Sequence, residues 1–107
     1  MARMFLMLLV VAAVLEVGGD AAVRRGLLGS SRGWMLAGSL ALVAYGFTVN
    51  VPRSIDFGRL MGLYIAVFFV VSQLVNLLAF GGRPSASLLL GGTLIVCGGL
   101  IIQAGVR

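Results

Sequence analysis

Two carboxylates, Glu16 and Asp20, stand one helical turn apart in the first long apolar run of this chain. The run reads MFLMLLVVAAVLEVGGDAAV, and Glu16 lies about two-thirds of the way along it. At a helical rise of about 1.5 Å per residue, that is roughly 4 Å from its midpoint. A charged carboxylate near a helix centre in lipid costs about 2.5–3.5 kcal/mol on insertion scales. Groups kept at that depth serve ion pathways, proton relays or counter-ions. The structural alternative is a protonated Glu16 that acts as glue between helices. Ala12, Ala13, Gly19 and Asp20 are three or four residues away and share the neighbourhood of Glu16 on a helix. Three of these four are small, which leaves room beside the carboxylate for a ligand or water.

Asp20 has two readings. It forms an i,i+4 pair with Arg24 near the membrane surface, or it is a second proton or cation ligand beside Glu16. In the second case the titration belongs to the pair and not to either residue. Arg59 likewise reads as a local partner of Asp56 or as the counter-charge of the site.

The elements that must hold these groups follow from composition. The chain has 107 residues, 61% of them hydrophobic and 10% charged, and a mean hydropathy of +1.15. A soluble domain carries roughly a quarter charged residues. A chain this short cannot hide so much apolar surface from water, so lipid is its solvent. One domain is the most its length allows. Four runs are long enough to cross a bilayer core of about 20 residues: residues 4–23, 33–51, 57–80 and 87–106. Backbone polar groups in lipid must be satisfied within the protein, so the spans are helices and the fold class is an all-α membrane protein. The first run is not a cleaved signal peptide, because it continues past Glu16 and the remaining chain is equally membranous.

The net charge of +5 comes from eight arginines against three acidic residues. They sit at the ends of apolar runs with no aromatic-interleaved basic patch, which speaks against nucleic acid as a partner. Arg3, Arg53, Arg59 and Arg107 share one side of the membrane; Arg24, Arg25, Arg32 and Arg83 share the other. Four against four gives no preferred orientation by the positive-inside rule, and the expectation is dual topology, with copies inserted both ways up. In the last run Gly91, Gly98 and Gly105 recur every seven residues, with Gly92 and Gly99 beside them. Close backbone approach at small residues drives helix association in lipid, so these five glycines are the expected seam of an antiparallel homodimer. Another span of the same copy is the other possible partner. Tyr64 and Phe68 lie four apart on one face of the third run, and Phe68 offers an aromatic face to a cation. Cys97 stands alone and there is no His, so neither a disulfide nor a metal site is expected. There is no nucleophile with a base and no phosphate-binding loop, so an enzyme is the least expected class.

The pattern LEVGGDAAVR, four spans in 107 residues, Tyr64 in the third span and the ending GGTLIVCGGLIIQAG together resemble the small multidrug resistance family of the drug/metabolite transporter superfamily. The stretch GRLMGLYIAVFF is similar to the opening of the third span in its YnfA-like subgroup, which makes Arg59 a group feature. The resemblance implies a proton-coupled antiporter of the bacterial inner membrane. It would export small organic cations such as quaternary ammonium, guanidinium-type or polyamine compounds. By the same match Glu16 is the shared proton and substrate carboxylate, Gly19 and Arg24 complete its motif, and Tyr64 borders the substrate. The fourth span builds the dimer, and no cofactor beyond the coupling protons is implied. Two positions depart from the pattern: Val67 replaces the usual tryptophan, and Asp20 stands where an uncharged residue is usual. The rival expectations are a non-transporting accessory subunit, or a partner for a homologous four-span protein, and a holin-like pore former.

Overall fold

The computed structural model describes residues 2–29 and 31–105. It contains four helices: α1 (Ala2–Leu27), α2 (Arg32–Val49), α3 (Phe57–Phe80) and α4 (Ala86–Gly105). Val106, the expected end of the fourth span, and Arg107, which entered the arginine balance, lie outside the described residues. Three helices are long and apolar enough to cross a membrane: Arg3–Leu27, Phe57–Phe80 and Ala86–Gly105. The second expected span falls short of that standard. Its helix opens on Arg32 and holds Gly33, Gly38, Ser39, Gly46 and Thr48 within 18 residues, which dilutes its apolar surface. At about 1.5 Å per residue it is roughly 27 Å long, just under a typical hydrocarbon core. Its hydroxyls are satisfied inside the helix: Ser39 Oγ donates to the Met35 carbonyl and Thr48 Oγ1 to the Ala44 carbonyl, both at 2.8 Å.

The chain divides into two compact units, Met1–Pro52 and Arg53–Arg107. In the first, α1 and α2 form an antiparallel hairpin whose turn passes through Gly29 at φ +109°, a left-handed backbone that favours glycine. The Arg25 guanidinium lies over the Trp34 ring, 5.4 Å from its centroid, and ties the two ends of the turn. Further along, the two backbones touch. A Cβ built on Gly38 would fall 2.6 Å from the Gly19 carbonyl oxygen, and one on Gly19 would fall 2.9 Å from the Gly38 carbonyl oxygen. Only two glycines can meet this closely, and small residues are what helices in lipid use to associate.

The register of this hairpin follows from its contacts. Gly26 meets Met35, Val23 meets Gly38, and Gly19 meets Leu42. Each step of three or four residues back along α1 is matched by a step forward along α2. The next steps set Glu16 opposite Tyr45 and Ala12 opposite Val49. Ala12 and Val49 are 0% and 1% exposed, as the deep end of such a seam requires.

In the second unit α3 begins at Asp56, whose side chain accepts the Arg59 backbone N–H at 3.1 Å as an N-cap. It ends at Gly81 in the left-handed conformation, φ +65°. Ser85 Oγ accepts the Leu88 N–H at 3.1 Å at the start of α4. Along the α3·α4 seam, Ile102 packs over Gly62, Ala66 over Gly99, and the Phe69 ring over Gly92. Gly92 and Gly99, expected in a seam between copies, are therefore buried against α3 of the same chain. Gly91, Gly98 and Gly105 differ: a Cβ at each would meet nothing within 4 Å.

These contacts set the outcome of two glycine substitutions. Gly38→Val should destabilise the α1·α2 hairpin by about 1–3 kcal/mol, because the branched side chain would run into the Gly19 carbonyl and both the backbone and the side chain of Val23. Gly46→Ala faces open space and should leave stability unchanged or raise it by up to about 1 kcal/mol through helix propensity. Unfolding of both variants in mixed micelles reads the difference.

Candidate functional site

Glu16 sits one turn before the Gly19–Gly38 contact and is half-buried. Because α1 cannot slide or roll on α2 where two backbones touch, the level of Glu16 along α2 is determined. The room expected beside it is partly taken. The space before Gly19 is filled by the Gly38 carbonyl and the Leu42 side chain, while Ala12 and Ala13 are wholly buried. Gly19 thus acts as a packing residue that sets the depth of its neighbour. Gly18, on another face, meets nothing within 4 Å. Asp20 is exposed, one turn beyond Glu16 toward Arg24 and the loop.

Sequence reasoning did not single out Tyr45. It is half-buried on α2, at the level the hairpin register sets opposite Glu16. The signal was present in the spacing: Tyr45 follows Gly38 by seven residues, two turns, and so shares the face of α2 that meets α1. That spacing gains meaning only once Gly38 is known as the contact point. The first unit therefore brings the Glu16 carboxylate and the Tyr45 phenol to one level of a helical hairpin, with Asp20 one turn nearer the loop.

Tyr64, Phe68 and Arg59 belong to the second unit. Tyr64 is 3% exposed, and its ring meets Phe68 at a centroid distance of 6.0 Å with the planes tilted by 51°. Arg59 Nε lies 3.7 Å from Asp56 Oδ1, a loose pair of two exposed side chains. Arg59 also donates a guanidinium N–H to the Gly105 carbonyl at 3.5 Å. A cation at the last turn of α4 complements the negative end of that helix. The Arg59 side chain thus joins the start of α3 to the end of α4.

Comparison with known proteins gives a consistent set of relatives. A UPF0060 membrane protein of Mycolicibacterium gilvum is 37% identical over 103 residues, 94% of each chain. One from Mycolicibacterium vanbaalenii is 39% identical over 101 residues, 92% of this chain and 93% of its own. One from Saccharopolyspora erythraea is 36% identical over 102 residues, 94% and 92% of the two chains. No family model matches the chain, and no solved structure matches it.

The cap at the start of α3 can be separated from its charge. Asp56→Ala should lower stability by about 0.5–2 kcal/mol through loss of the N-cap acceptor. Asp56→Asn keeps an acceptor and should recover most of that loss. Unfolding of the two variants side by side distinguishes the cap from the pair with Arg59.

Proposed function

We propose a function for a chain that belongs to the UPF0060 family of membrane proteins, the YnfA-like group its sequence resembles: proton-coupled antiport that exports small organic cations around Glu16. The observation that carries this reading is a half-buried carboxylate near the middle of a membrane-length helix, held at one depth by the glycine contact beside it. Desolvation and an organic cation make opposite demands on such a group. Away from water a carboxylate favours its protonated form; a cation at its side favours the ionised form. Proton and cation then compete for one site, and competition for a single site that opens alternately to the two sides of a membrane is exchange. Substrates of this kind are quaternary ammonium, guanidinium-type or polyamine compounds. Phe68, half-buried on α3, offers a ring face, where a cation gains about 0.5–2 kcal/mol.

In this reading four spans form each subunit, and two subunits inserted in opposite senses make the transporter. The balanced arginines support insertion both ways up. Gly91, Gly98 and Gly105, which have open space before them, offer α4 a face for close approach to a second copy. Two opposed copies form an inverted pair, a geometry that places a site at the repeat interface near the membrane midplane. The same open face also suits a homologous four-span partner, the arrangement expected of an accessory subunit.

Reconstitution into liposomes tests the exchange. Substrate-triggered currents are recorded across guanidinium, small guanidinyl compounds, quaternary ammoniums and polyamines. Currents with at least one class, abolished in Glu16→Gln, are the expected result. Full proton-coupled transport by Glu16→Gln, or silence of a folded wild-type dimer across the panel, goes against it. For the dimer, Gly98→Leu should reduce self-association in micelles about tenfold, roughly 1.4 kcal/mol. Cross-linking yield at fixed protein-to-detergent ratio measures it, and an unchanged yield excludes α4 as the seam.

A further inference from the structure

The hairpin register sets the phenol of Tyr45 at the level of the Glu16 carboxylate, and nothing in the reading so far uses it. We propose that Tyr45 is a positioning residue that donates its O–H to the ionised Glu16 carboxylate across the α1·α2 seam. The geometric argument rests on three contacts, Gly26 with Met35, Val23 with Gly38 and Gly19 with Leu42. They march in step, and one turn further they bring Glu16 and Tyr45 face to face. Both residues are half-buried, so neither is freely bathed in water. An ionised carboxylate is acceptor-only and a phenol carries one donor, so the pair is chemically matched. A hydrogen bond to a charged group is about twice as strong as a neutral one.

The other charged groups near this level of the two packed helices lie toward the loop. Asp20 lies one turn nearer the loop and is exposed; its level on α2 is that of Ala41 and Leu42, short of Tyr45. Arg24 and Arg25 are in the last turn of α1, and Arg32 opens α2 at the same end of the hairpin. The consequence is orientation. A carboxylate held by a donor on α2 presents its second oxygen to the proton or cation, and the Gly19–Gly38 contact keeps donor and acceptor in register. This role rests on the transport reading for its use, but the pairing itself does not.

The experiment is therefore built so that the two fail separately. The full chain, labelled with 13C at the tyrosine ζ-carbon, is studied in micelles as pH is raised from acid to neutral. The Tyr45 resonance is expected to move as Glu16 ionises, to stay still in Glu16→Gln, and to keep moving in Asp20→Asn. A resonance that is flat in the wild type, or that is stilled by Asp20→Asn and not by Glu16→Gln, overturns the pairing. These arms need no substrate and leave the Tyr45 side chain untouched. The functional arm compares wild type with Tyr45→Phe in liposomes, with guanidinium as the probe. Loss of one orienting hydrogen bond should raise KM about 2- to 12-fold with kcat changed much less. An unchanged KM in a folded Tyr45→Phe overturns the positioning role. Silent wild-type liposomes with a Tyr45 resonance that still follows Glu16 would sink the transport reading and leave the pairing standing.

Discussion

At Gly19 and Gly38 two helix backbones meet with no side chain between them. In water such a contact would be one of many, because burial of apolar surface would hold the hairpin closed wherever it touched. In lipid the tails are as apolar as leucine, and helices gain little from hiding leucines from them. Attraction then depends on how closely the main chains approach, and that distance is set by the smallest residues. The remainder of the first unit follows from this one contact. It determines the register, the register determines which residue of α2 faces each residue of α1, and Glu16 comes to stand opposite Tyr45. A Cβ at either glycine would separate the helices and release the register with it.

The second unit meets the same requirement differently. Its seam has glycines on both helices, but each faces a side chain: Gly62 takes Ile102, Gly99 takes Ala66, and Gly92 takes the ring of Phe69. Here glycine makes a hollow for a partner's bulk instead of allowing backbone on backbone. The ends of these helices carry their own chemistry. Asp56 caps α3 and Gly81 ends it, while the Arg59 guanidinium reaches the last carbonyl of α4. Charged residues of this unit are thus spent at helix ends, where orphan backbone groups need them, while the polar residues between are uncharged: Ser72, Gln73 and Asn76 in α3 and Thr93 in α4.

Among the charged residues, Glu16 lies deepest within its helix. Glu16 is placed far from either helix end and one turn from the tightest contact of its hairpin. That position withdraws it from water without closing it off, since it is only half-buried. Membership of the UPF0060 family of membrane proteins and the three membrane-length helices agree with a bilayer environment for the chain.

Much of this was legible in the residues themselves. That the chain is helical follows from runs of apolar residues and from the need to satisfy every backbone group in lipid, while α1 runs on through Arg24 and Arg25 to Leu27, beyond its apolar run. That Glu16 is costly in lipid follows from its place within an apolar run. Neither inference depends on which helix lies beside which. The partner choices do. The five glycines of the last span look alike on paper, yet Gly92 and Gly99 serve α3 of the same chain while Gly91, Gly98 and Gly105 face open space. Rotation about the helix axis decides that, and an apolar helix carries no polar stripe to announce its rotation. Tyr45 was unremarked for the same reason, since its role depends on a register that one pair of glycines sets. Even the second span shows the difference in kind: its hydroxyls lower its apolarity, and only the folded helix shows them bonded back to their own carbonyls. Sequence determined what must be helical and which charge is expensive. Tertiary structure decided what each glycine touches and who stands opposite that charge, because close packing in lipid is settled by shape, which a list of apolar residues does not contain.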